Sequence, residues 1–89
     1  MGYAKKVDAN QKILVEYIRS LGASVCHLHT AHKGVPDIVI GFQGVNYFCE
    51  IKGLKGSLNE RQVKWFSDWK GQAIVIRTKE DVDNLLNLN

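Results

Sequence analysis

Two hydrophobic periods run through this chain. From Asp8 to Leu21 the apolar residues Ile13, Leu14, Tyr17, Ile18 and Leu21 recur every three or four positions, which predicts an amphipathic helix. Gly22 follows as its natural stop. Residues 23–29 read as a strand of mixed character, and Lys33-Gly34-Val35-Pro36 as a loop, because glycine and proline both oppose regular structure. Residues 37–42 and 45–52 are β-rich runs separated by Gln43-Gly44, so a tight hairpin is the simplest connection. Gly53-Leu54-Lys55-Gly56 is a loop, after which Ser57 and Glu60 fit a capping box for a helix reaching about Lys70. Leu58, Trp65, Phe66 and Trp69 mark that helix's apolar stripe. Residues 73–77 read as a buried strand, and Thr78 with Asp81 as a weaker cap for a last helix over roughly 79–88. The predicted order is α-β-β-β-α-β-α, an α/β domain on a small mixed sheet flanked by helices.

The 89 residues suffice for one domain. A domain of this size buries little surface and gains from pairing with a second copy. At 45% hydrophobic with a single proline, the composition is that of an ordered protein. The net charge of +3 is a mild excess, compatible with a polyanionic partner but not diagnostic of one. No apolar run approaches the roughly 20 residues that span a bilayer. The basic start, Met1 to Lys6, leads into an amphipathic segment rather than a signal core, and Lys6 stands where a myristoylation site needs Ser or Thr. Cys26 and Cys49 fall in predicted strands and read as buried free thiols. These features together suggest a cytoplasmic protein without a membrane partner.

The hairpin carries the strongest chemical signal. If Phe42 faces Val45 across a two-residue turn, the register sets Asp37 opposite Glu50, and alternation puts Lys52 on the same face. Two carboxylates held that close repel unless a proton or cation intervenes. Mg²⁺ is suited to one or two carboxylates and several waters, and a cation there could orient a water and stabilise charge on a phosphate. Lys52 could act on that water or hold a phosphate oxygen. A register slip of one residue would instead send Asp37 and Glu50 to opposite faces, leaving ordinary surface charges.

Gly34-Val35-Pro36-Asp37 followed by Glu50-Ile51-Lys52 resembles the P-D…E-x-K signature of the restriction-endonuclease-like nucleases. Within that superfamily the chain looks like a minimal VRR-NUC (virus-type replication-repair nuclease) domain. The likeness runs almost end to end and includes Tyr17 to Gly22 and Leu58-Asn59-Glu60-Arg61-Gln62. It implies a restriction-endonuclease-like core and an Mg²⁺- or Mn²⁺-dependent endodeoxyribonuclease. Asp37 and Glu50 would bind the metal with the backbone carbonyl of Ile51, and Lys52 would act on the water. Gln62 matches the family's glutamine on the following helix, its alternative being a core amide bonded to backbone. Relatives usually carry a glutamate early in the first helix, where this chain has Val7-Asp8-Ala9-Asn10-Gln11. Gln11 matches a family glutamine, while Asp8 or Glu16 could supply the missing carboxylate; Asp8 could equally be an N-cap. The resemblance further implies a homodimer, typical of phage-borne stand-alone domains, acting on branched DNA such as four-way (Holliday) junctions in repair, within a phage-infected or prophage-bearing bacterial cell.

Cys26, His27, His29 and His32 match no common zinc spacing. Lys33, Lys55, Arg61 and Lys64 are candidate DNA phosphate contacts, the two loop lysines flanking the site. Trp65 and Trp69 read as core rather than base-stacking residues. Two other classes fit the same residues: a DNA-binding module of this fold without catalysis, and a protein-interaction domain whose Asp37, Glu50 and Lys52 are coincidental.

Overall fold

The computed structural model describes residues 9–28 and 33–88. The elements follow in the expected order: α1 (Ala9–Ser20), β1 (Ser24–His27), β2 (Ile38–Phe42), β3 (Val45–Ile51), α2 (Glu60–Asp68), β4 (Ala73–Ile76) and α3 (Lys79–Leu85). The four strands form one mixed sheet in the order β1-β2-β3-β4. The first three are an antiparallel meander, and β4 returns parallel to β3 after α2. Gln43 and Gly44 both adopt positive φ, 51° and 78°, the backbone that a twisted two-residue hairpin turn requires. Phe42 therefore faces Val45, and Ile38 faces Cys49, in the register expected from the sequence.

Side chains alternate across the strands, and the two faces of the sheet differ. Ile38, Ile40, Cys49, Ile51 and Ile76 point to an inner face, where they form the core with Leu14, Val15 and Ile18 of α1 and with Val82 and Leu86 at α3. Tyr17 ties the two helices together, its hydroxyl donating to Asp83 Oδ1 at 2.6 Å. That hydrogen bond raises the Tyr17 pKa above its usual value. The outer face carries Cys26, Val39, Phe48, Glu50 and Val75, and α2 packs against it. Phe48 meets the rings of Trp65 and Trp69 edge-on, at centroid distances of 5.5 and 4.8 Å.

Several expectations are corrected by this layering. In α1 Leu14 and Ile18 are buried and Tyr17 and Leu21 pack against the core, as the stripe predicts, but Val15 joins them and Ile13 is exposed. Helix α2 starts later than expected. Its capping box is Asn59 with Gln62 rather than Ser57 with Glu60, and it ends at Asp68 rather than near Lys70. Trp65 and Trp69 do not reach the core: no residue of α2 is fully buried, and its aromatics cluster around Phe48 on the outer face. Strand β4 is an edge strand with only Ile76 buried, not a buried strand throughout. Cys26 is exposed, because it sits on the outer face of the other edge strand, while Cys49 is buried as expected. Burial pushes the Cys49 thiol up to about 12, which keeps it protonated and inert. The Thr78–Asp81 cap forms as a reciprocal box, and α3 stops at Leu85 rather than Leu88, with Asn87 just beyond it at a φ of 59°. Asn tolerates the left-handed region that ends helices.

Candidate active site

The β2–β3 ladder closes at Ile38 and Cys49, and the next pair outward is Asp37 and Glu50. Strand β2 begins one residue after Asp37, because Pro36 just before it has no N–H to extend the ladder. The side chain of Asp37 takes over: its Oδ2 accepts the Ile51 N–H at 2.8 Å. An extended residue directs its N–H and C=O to the same side of the strand, so the Ile51 carbonyl also faces Asp37.

Glu50 lies on the outer face and yet is only 3% exposed, the one buried charged residue among those described. Its Oε2 accepts from Gln62 Nε2 at 3.0 Å and lies 3.5 Å from Lys52 Nζ. Gln62 reaches it from the first turn of α2, where its other end, Oε1, accepts the Asn59 N–H at 3.0 Å. A single amide thus joins the helix cap to the carboxylate. Burial pushes the Glu50 carboxyl up from its ordinary value near 4.5 to about 7; the nearby Asp37 adds to this, and Lys52 opposes it. Among the described residues no third His, Cys, Asp or Glu joins these two carboxylates in a cluster suited to a metal ion.

Asp37, Glu50, Ile51, Lys52 and Gln62 are therefore brought together as the sequence suggested. Glu16 is not part of this group: it is exposed on α1, which packs on the inner face of the sheet. Gln11 is half-buried and makes no hydrogen bond to Asp37, Glu50 or Lys52. Asp8, His29 and His32 lie outside the described residues. Cys26 and His27 are consecutive in β1 and so point to opposite faces of the sheet.

Four basic candidates are exposed around this end of the sheet. Lys55 sits in the loop that follows Lys52, and Lys33 leads into the loop that carries Pro36 and Asp37. Gly34, with φ of 91°, presses so closely on the Arg61 carbonyl that a β-carbon there would stand 2.6 Å from its oxygen. The loop and the start of α2 are thereby held in contact. Lys64 lies one turn further along α2 and pairs with Asp68 at 2.9 Å on an exposed surface. Such a pair stabilises little and partly neutralises Lys64 as a phosphate contact.

Sequence reasoning missed two residues here. Asn10, in the first turn of α1, donates to the carbonyls of Lys52 and Arg77, at 2.7 and 3.2 Å. Arg77 Nη1 donates to the carbonyls of Gly53 and Gly56, both at 2.6 Å. An arginine ending an apolar strand immediately before a helix cap was the available signal for the second; nothing in the periodicity marks the first.

Comparison with protein-family models, curated proteins and solved structures gives no match for this chain.

Proposed function

We propose that this chain is a divalent-metal-dependent endodeoxyribonuclease of the VRR-NUC type, with Asp37, Glu50, Lys52 and Gln62 as its working residues. The observation that carries this reading is the burial of Glu50 beside Asp37, with Lys52 and Gln62 on its carboxylate. A carboxyl held near neutrality by burial and a second acid is poised to exchange its proton for a cation. The donor set also fits: two carboxylates and the Ile51 carbonyl are hard oxygen ligands, suited to Mg²⁺ or Mn²⁺ rather than zinc.

When bound, the metal would activate a water and stabilise the charge that develops on the phosphate. The protein's residues prepare for that chemistry. Asp37 is fixed by the Ile51 amide, and Glu50 by the Gln62 amide, so neither carboxylate must reorganise on binding. Lys52 directs its ammonium to the same point and can hold a phosphate oxygen or orient the water. Lys33, Lys55 and Arg61 supply positive charge for the DNA backbone around the site.

The proposal extends to a homodimer acting on branched DNA such as four-way junctions. A pair with twofold symmetry would present two centres to two strands. The exposed apolar residues Val63 and Trp69, on and just after α2, leave surface for a second copy to cover.

The test is cleavage of a labelled four-way junction and a matching linear duplex with Mg²⁺, Mn²⁺ or EDTA, comparing wild type with a folded Lys52→Ala variant. Metal-dependent cutting of the junction, lost in the variant, is expected. Equal cutting of the linear duplex would remove the branched substrate. Junction binding without cutting under any metal would leave a DNA-binding module, and neither binding nor cutting would leave a protein-interaction domain.

A further inference from the structure

The segment between Lys52 and α2 has little of its own to hold it. Its first part, the Gly53–Gly56 turn, has one apolar residue, the exposed Leu54, and one internal backbone bond, from the Gly56 N–H to the Gly53 carbonyl at 3.1 Å; the half-buried Leu58 lies beyond it, next to α2. Glycines make such a loop costly to order, since they surrender the most backbone freedom. The loop nevertheless folds back on the base of the Lys52 side chain: a β-carbon at Gly56 would stand 3.5 Å from the Lys52 Cβ.

The restraint comes from outside the loop. The Arg77 guanidinium donates to the carbonyls at both ends of the turn, Gly53 and Gly56, at 2.6 Å each. Short bonds from a charged donor are the strong kind. Arg77 is in turn fixed by its backbone N–H, which donates to Asp81 Oδ2 at 2.8 Å within the cap of α3. No carboxylate among the described residues forms a salt bridge with the guanidinium, so these carbonyls are its evident partners. Asn10 adds a second tie, bonding the carbonyls of Lys52 and Arg77 and joining the ends of β3 and β4 to α1.

We propose that Arg77, assisted by Asn10, is a positioning residue for Lys52: it latches the Gly53–Gly56 loop and thereby fixes the direction of the Lys52 side chain toward Glu50. The strand ladder, through the Lys52 N–H to the Ile76 carbonyl at 3.1 Å, anchors only the N-terminal flank of Lys52. The latch anchors the other flank. Neither Arg77 nor Asn10 touches the two carboxylates, so the effect on chemistry passes through Lys52 and rests on the nuclease reading above.

The experiment uses the full chain carrying Arg77→Met, Arg77→Lys or Asn10→Ala. Amide exchange at residues 52–56 is measured beside metal-dependent single-turnover cleavage, with DNA affinity measured in Ca²⁺. In Arg77→Met the loop amides are expected to lose protection about tenfold while β2 keeps its own, because only an external tie is removed. Cleavage is expected to slow by about ten- to a hundredfold, as a displacement near 1 Å at a reacting group does, with DNA affinity within about twofold of wild type. Arg77→Lys should recover part of both, since one ammonium can still reach a carbonyl. Should Arg77→Met fail to fold, Asn10→Ala carries the same expectation with a smaller loss. Unchanged loop protection in a folded variant overturns the latch. A loosened loop with cleavage unchanged, or affinity falling in step with rate and no recovery in Arg77→Lys, overturns the positioning of Lys52. If the wild type cuts nothing, the nuclease reading and the positioning role fall together, while the exchange data still decide whether Arg77 orders the loop.

Discussion

The carboxylate of Asp37 accepts the backbone N–H of Ile51 at 2.8 Å, replacing the ladder bond that β2 can no longer supply beyond Ile38. Asp37 therefore has a structural duty as well as a place beside Glu50, and the two can be separated by substitution.

Asp37→Asn keeps an oxygen that can accept the Ile51 N–H, so its thermal stability is expected to stay near that of wild type. Asp37→Ala leaves that part-buried amide without its partner, which costs about 1–3 kcal/mol. Both variants should lose metal-dependent cleavage. Thermal melts and cleavage assays on the pair read the two duties independently, and an Asp37→Asn protein that still cuts at the wild-type rate would remove Asp37 from the metal site.

The hairpin was legible in the sequence because its turn and its alternation agree. Gln43-Gly44 sets the register, the register sets Asp37 against Glu50, and the Cys49–Ile51 pattern turns Glu50 away from the core. The glutamine at 62 was legible only through the family resemblance and its place among aromatics. Its bond to Glu50 depends on where α2 begins, and Asn59 competes with Ser57 for the cap on nearly equal terms. The exposure of Trp69 was hidden for a different reason. Helical periodicity shows which residues share a stripe but not how deep a neighbouring sheet face is, and here a single short helix covers that face. The Arg77 latch joins residues more than 20 positions apart through backbone carbonyls, which carry no sequence signal.

The raised pKa of Glu50 makes stability depend on pH in a definite direction. With its folded value pushed from near 4.5 to about 7, the native state holds this proton more tightly than the unfolded chain does. Its contribution to stability is then complete below about pH 4.5 and is lost as pH rises through about 7, with a limiting slope of about 1.4 kcal/mol per pH unit. Denaturant titrations in EDTA from pH 5 to 8 should show this fall against the Glu50→Gln variant as baseline. A difference between the two proteins that does not vary with pH would show that Glu50 titrates as an ordinary carboxylate.

Metal affinity follows from the same proton. Binding to ionised Glu50 must displace it, so the apparent affinity for Mn²⁺ should rise about tenfold per pH unit below 7 and level off above. Calorimetric titration in buffers of different ionisation enthalpy would detect about one proton released per ion bound at pH 6. Glu50→Gln should bind no metal at the site yet keep its fold at neutral pH, because a neutral amide of the same size no longer carries a charge out of water. Retention of wild-type Mn²⁺ affinity by that variant would place the ion elsewhere.

Gly34 and Gly22 form a natural control pair for the contact between the Asp37 loop and α2. Both have positive φ, 91° and 88°, so an alanine at either position carries backbone strain of about 1 kcal/mol. They differ in surroundings: a β-carbon at Gly22 meets open space, whereas one at Gly34 would stand 2.6 Å from the Arg61 carbonyl oxygen. Neither backbone can yield without moving the Pro36–Asp37 loop away from the first turn of α2, where Gln62 holds Glu50. Gly22→Ala is therefore expected to lower the melting temperature modestly and leave cleavage intact. Gly34→Ala should destabilise further and reduce cleavage by about tenfold or more beyond what its stability loss explains, because displacement of Asp37 relative to Glu50 misplaces both metal ligands. Melting curves together with single-turnover rates at a temperature where both variants are folded would check this. Equal rates in the two variants would mean that the close approach of Gly34 to Arg61 plays no part in aligning the site.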